Sequence, residues 1–209
     1  MRRATDIPAE QAAKRGAGRP RRTPDQPQTR DQALDAAEYL LETQGYVGAS
    51  MSDVARAVGI SKPALYHHFP TKETLFLGVA QRLIERDAAG MAAAIASGPA
   101  VTGQLEALAA WMFGTGRHTE RMLRDAVRFL EPQHAELIAQ KFTVQMLAQV
   151  EQVMRVGIET SQLEPHDATL SAWAFMGLLS VFTETHGRLA RSDLPGELVR
   201  LIVNGIGPR

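Results

Sequence analysis

From Thr29 onward, apolar side chains recur at steps of three and four residues, and no alternating run is long enough for a strand. That single period restricts the chain to helices packed on helices, an all-α fold. A length of 209 residues allows one or two compact domains with a sizeable core. Breakers divide the pattern. Ala33, Leu34, Ala37, Leu40 and Leu41 form the stripe of a first helix, with Thr29 as its expected N-cap and Gly45 as its stop. Ser50 and Asp53 resemble a capping box for a short second helix, with Val54, Ala55 and Val58 inward and Gly59 closing it. Ser61 caps a third helix through Leu65 to Phe69, which Pro70 stops. Thr71 caps a fourth, with Leu75, Phe76, Val79, Ala80, Leu83 and Ile84 on its buried side. Longer helices are expected over Leu105–Phe113, Arg117–Leu130, Pro132 to about Leu163, Asp167 to about Leu189, and after Pro195-Gly196 to near Gly205.

The charge balance hides an asymmetry. Lys+Arg and Asp+Glu are both 23, yet residues 1–30 carry eight basic and three acidic residues, +5 against −5 for the remainder. A basic arm on a neutral body suits a chain that touches nucleic acid. Residues 1–28 lack Leu, Val, Phe, Tyr and Trp, so their burial cannot offset the entropy of ordering them. They are expected to be a disordered basic arm.

Other functions are disfavoured by what the sequence lacks. There is no cysteine, hence no disulfide, thiolate metal site or cysteine nucleophile. Arg2 and Arg3 are followed by no apolar run, and the longest nearly apolar stretch, Ala172 to Phe182, falls short of the roughly 20 residues of a membrane helix. A cytoplasmic location and no membrane partner are expected. No Gly-rich phosphate loop, nucleophile elbow, HExxH or compact acid–base pair is present, so an enzyme is not expected. No cofactor and no metal are expected either: His118, His134, His166 and His186 are scattered, and the adjacent His67 and His68 diverge by about 100° on a helix.

Ser50 to Lys72 holds the informative constellation. Two short helices joined at Gly59 make a helix-turn-helix, in which Val54, Val58, Ile60 and Leu65 meet between the helices and Ala55 permits their approach. Gly59 takes a positive φ without steric cost. The second helix then fits a DNA major groove. This segment resembles the TetR family of bacterial transcriptional regulators. The resemblance rests on Gly45-Tyr46, Ser50 to Ala55, Val58 to Ser61, Leu65 to Phe69 and Lys72-Glu73, and spans Thr29 to about Val79.

The resemblance implies three parts: residues 1–28 as the arm, 29–75 as a three-helix DNA-binding domain, and 76–209 as a larger helical domain for ligand binding and dimerisation. The recognition helix becomes about 62–68, with Lys62, Ala64, Tyr66 and His67 toward DNA. Lys suits guanine acceptors and Ala a thymine methyl. Tyr66 and His67 suit phosphates, as do Ser50, Ser61 and Lys72 at helix N-termini. Residues 31–75 hold only Arg56, Lys62 and Lys72 against six acidic residues, so the arm is expected to compensate. Its Gly18-Arg19-Pro20-Arg21 core resembles an AT-hook that lays Arg19 and Arg21 in a minor groove; the alternative is an unspecific polybasic tail.

The expected partners are an operator duplex, a second copy of the chain, and a small, largely apolar effector. Pocket candidates are Trp111, Met112, Phe113, Met122, Phe142, Met146 and Trp173, in a domain whose methionines can line an adaptable cavity; ordinary core is the alternative. Arg117, Arg121, Arg124 and Arg128 share a face that suits either an anionic effector or solvent. Ala172 to Phe182 is apolar nearly all round, so it is expected either in a dimer interface or inside one subunit. The function implied is a ligand-responsive repressor binding a palindromic operator as a homodimer. The alternative is an effector-independent architectural DNA binder.

Overall fold

The computed structural model describes residues 27–114, 127–185 and 193–206. Every regular element among them is helical. The expected arm, with Arg19 and Arg21, lies almost wholly outside the described residues, as do Met122, Arg117, Arg121 and Arg124.

The chain enters at α1 (Pro27–Gly48), two residues before the expected cap. Thr29 does not cap this helix; it sits inside the first turn and is buried. Pro27 explains the shift, because a residue without an N–H suits that turn. Gly45, at φ 69°, breaks the helix where the sequence placed its stop. Next come α2 (Met51–Val58), α3 (Lys62–His68) and α4 (Lys72–Ser97). The Ser50, Ser61 and Thr71 hydroxyls cap them, accepting the N–H groups of Asp53, Ala64 and Thr74. At α4 the box is reciprocal, since Thr74 Oγ1 accepts the Thr71 N–H at 3.0 Å. Gly59 takes φ 74°, and the Ile60 N–H donates to the Ala55 carbonyl at 3.0 Å, so the chain turns straight into α3.

The body comprises α5 (Val101–Gly114), α6 (Pro132–Phe142), α7 (Ala148–Glu159), α8 (Ala168–Thr185) and α9 (Leu194–Ile206). Helix α5 starts earlier than Leu105. Helices α6 and α7 form one rod, as expected, but a π-helical turn, Thr143–Leu147, joins them. The rod stops at Glu159, not near Leu163. Ser161 turns left-handed, and the N–H groups of Gln162 and Leu163 both donate to the Gly157 carbonyl. Leu163 thereby folds back to be buried; a Cβ at Gly157 would lie 2.6 Å from it. Helix α9 takes Pro195 and Gly196 into its first turn and does not begin after them.

One continuous core joins both halves. Leu34, Ala37 and Leu41 of α1 meet Val54, Ala55, Leu65 and the first half of α4; Met91, Leu105, Leu108 and Met112 carry the core onward to Met154, Phe175 and Leu179. Helix α4 packs most extensively on α5, and α9 covers α5 from another side. No described helix is long and apolar enough to cross a membrane.

Leu65 is fully buried between α2, α1 and α4. The Leu65→Ala variant should lose about 2–5 kcal/mol of stability, read from the midpoint of a urea unfolding curve.

Candidate nucleic-acid interface

Local capping aims α3. Ser61 Oγ holds the Ala64 N–H at 3.3 Å, and Leu65 and Phe69 anchor the buried side. Lys62, Pro63, Tyr66 and His67 are then left exposed, while Ala64 and His68 are half-buried. Lys62 and Tyr66 stand four residues apart and share one stripe. Three of the four recognition residues expected from the sequence therefore share the solvent face, and Ala64 lies at its edge.

The capping residues are more committed than the sequence suggested. Ser50 Oγ accepts the Asp53 N–H at 3.2 Å and donates to Asp53 Oδ2 at 2.5 Å. Arg56 Nη1 donates to Asp53 Oδ1 at 2.8 Å. The Ser50 hydroxyl, ahead of the Arg56 and Lys62 charges, holds the Asp53 carboxyl below its ordinary value. Lys72 is turned inward as well. Its Nζ lies 4.4 Å from the Tyr46 ring centroid and donates to the Val47 carbonyl at 3.5 Å. Burial there lowers its pKa from the ordinary 10.5.

Tyr46 is also the pivot of a joint that sequence reading missed. It meets Phe76 edge-on, ring centroids 5.3 Å apart, and Phe129 stacks on it at 5.7 Å and 8°. Phe129 belongs to the turn leading into α6, so body and DNA unit touch at this ring. Glu73, in the first turn of α4, makes a second joint. Its Oε1 accepts the Glu131 N–H at 2.7 Å, and His134 Nδ1 lies 2.8 Å from the same oxygen. The His134 contact first, then the Glu131 N–H, hold the Glu73 carboxyl below its ordinary 4.5, against the opposing effect of burial. Spacing could not announce these pairs, because their partners are far apart in sequence.

The expected effector residues are scattered. Met112, Phe113 and Met146 are core. Trp111 packs on α4 where Gly90 makes room, its Cζ2 only 2.5 Å from where a Cβ would stand. Phe142 and Trp173 do meet, with centroids 6.2 Å apart, and Trp173 remains 49% exposed.

Comparison with known proteins follows this geometry. Residues 33–79 match the family described as bacterial regulatory proteins, tetR family. The chain is 29% identical over 169 residues to the HTH-type transcriptional activator FasR of Mycolicibacterium smegmatis, covering 79% of this chain and 74% of that protein. It is 41% identical over 79 residues to the HTH-type transcriptional repressor ComR of Escherichia coli, but there it spans only 38% of this chain and 35% of that protein. Among solved structures, the fold is similar to the transcriptional regulator FadR from Bacillus subtilis in complex with stearoyl-CoA, with a TM-score of 0.72, 18% identity, and coverage of 84% of this chain and 98% of that one.

The Glu73 joint has a pH signature. A carboxyl whose pKa is depressed in the folded state stabilises above its unfolded pKa and loses that stabilisation as pH falls through the folded value. Glu73→Gln should therefore be less stable than the parent at about pH 6, and the gap should narrow as pH falls below the ordinary carboxylate value of 4.5, measured by urea unfolding across that range.

Proposed function

We propose that the chain is a member of the family of bacterial regulatory proteins, tetR family, which its residues 33–79 match, and that it is a ligand-responsive repressor that binds a near-palindromic operator as a homodimer. Residues 29–75 act as the DNA-reading unit, 76–209 as the effector and dimer unit, and 1–28 as a basic arm along the duplex. The observation that carries the reading is the exposed α3 stripe of Lys62, Tyr66 and His67 on a helix-turn-helix closed by Gly59. Lys62 reads base edges; Tyr66 and His67 hold phosphates, together with backbone N–H groups at the α2, α3 and α4 starts. Arg19 and Arg21 take the neighbouring minor groove.

Helix α8 supports the dimer. Leu170, Trp173, Ala174, Gly177 and Val181 form an exposed apolar stripe opposite the buried Ala172, Phe175, Met176 and Leu179. Leu201 of α9 is 67% exposed as well. A two-fold pairing of these helices would remove the stripe from water and set the spacing of the two recognition helices. FadR's complex with stearoyl-CoA supports an effector for this fold. Of the relatives, FasR carries the name activator and ComR repressor. The burial of Met112, Phe113 and Met146 favours a second reading, an architectural DNA binder that needs no effector.

Two experiments test the proposal. In a gel shift with the DNA upstream of its own coding region, Lys62→Gln should weaken specific binding by about 1–3 kcal/mol and leave non-specific binding nearly unchanged. Equal retention of random and upstream DNA by the parent would favour the architectural reading. Trp173→Glu should convert a dimer into a monomer by light scattering; a variant that stays dimeric places the interface elsewhere.

A further inference from the structure

We propose that the cleft between α1, α3, α4 and α6 binds a small amphiphilic anion. The binding itself stands apart from the repressor reading, and only its consequence for DNA rests on that reading. The cleft has a volume of 310 Å³. That is at the lower end of small-molecule sites, about 300–1,000 Å³. None of the effector residues expected from the sequence that are among the described residues lines it.

Its lining sorts by chemistry. Phe69, Leu77, Leu137 and Ile138 supply apolar surface. Arg30 and Lys141 supply positive charge, and no acidic side chain among the described residues lines the cleft. The Arg30 guanidinium lies 5.3 Å from the centroid of the Phe69 ring. Its Nη2 reaches to 3.9 Å from the Cβ position of Gly78, so the charge extends over α4. Among the described residues, neither Arg30 nor Lys141 pairs with a carboxylate, unlike Arg82 and Arg86 of the neighbouring face.

His68 is the independent observation. It lines the same cleft, and its Nε2 is shielded from water without a hydrogen-bond partner. A shielded polar atom left unpaired is costly, and a ligand oxygen would relieve that cost. Two cations and an unpaired imidazole nitrogen beside an apolar floor suit a carboxylate or phosphate monoester on a short hydrocarbon body. Such a ligand would touch the last residue of the recognition helix on one side and α6 of the body on the other. Occupancy would therefore bias how the DNA unit sits on the body.

The test uses the full chain and four probes of one chain length: hexanoate, hexyl phosphate, hexanol and hexylamine. Calorimetry and histidine side-chain NMR read binding. Hexanoate or hexyl phosphate should bind at least about tenfold more tightly than hexanol or hexylamine and shift the His68 signals; the tighter of the two names the head group. Lys141→Gln and, separately, the exposed Arg30→Gln should each weaken the anion about tenfold. Absence of anion binding, equal binding of hexanol, or affinity unchanged in both variants overturns the proposal. Failure of the repressor reading shows differently, as a parent protein that does not retain upstream DNA before any probe is added.

Discussion

Helix α4 is the constraint on which the rest of the structure depends. Its 26 residues run unbroken from the cap at Thr71 to Ser97. Leu75, Phe76, Val79, Ala80 and Leu83 in its first half are buried with α1 and the helix-turn-helix. Met91 in its second half is buried with the body. A helix with a continuous hydrogen-bond ladder transmits a tilt from one end to the other, because packed cores switch between discrete arrangements instead of deforming smoothly. Arg82 reaches Asp35 and Glu38 of α1 at 2.6 and 3.1 Å, and Arg86 reaches Glu38 at 2.8 Å. These pairs are on the rim, where such pairs contribute little each. The buried residues bind α4 to α1; the arginines set its orientation.

The start of α4 is held from both sides. Tyr46 gathers Phe76, Phe129 and Lys72 on one ring, and Glu73 gathers the Glu131 N–H and His134. Phe129, Glu131 and His134 all belong to the approach to α6 or its first turn. A movement of α6 must therefore alter the contacts at the foot of α4, beside α3. The π-helical turn places the middle of the same rod against α4 as well, since Gln149 Nε2 donates to the Ala88 carbonyl at 3.1 Å. The rod from α6 to α7 thus touches α4 both at its start and in its second half.

What was legible in the sequence was local. Ser50, Ser61, Thr71 and Gly59 announce their caps because each reports its own backbone geometry within three or four residues. The six apolar positions expected on α4 are all buried, because a period of 3.6 fixes a face regardless of what covers it. The exposed stripe of α8 was not legible this way, because its apolar residues run nearly all round the helix and fix no single face. Nor were the joints. Tyr46 with Phe129, and Glu73 with His134, join residues that no pattern links, and Lys72 looks like a DNA contact until its ring partner is known. The start of α1 was missed for a different reason. Thr29 is a good cap by type, but α1 already includes Pro27, so Thr29 lies inside its first turn.

The same joints change the electrostatic account. Binding to a duplex draws on cations free to displace counterions. Of the three cations in residues 31–75, Arg56 is occupied by Asp53, and Lys72 by Tyr46 and Val47. Lys62 is left on the exposed face of α3. On the proposed function, a unit with so little free positive charge gains affinity by two means: doubling through two-fold symmetry, and cations outside the motif. The first adds a second α3 at fixed spacing without adding a residue. The second is the surplus of basic residues in 1–30, of which Arg30 stands at the start of α1. On that reading a neutral total charge is compatible with DNA binding, because specificity would rest on the rigid placement of a few groups and the field would come from a separate part of the chain.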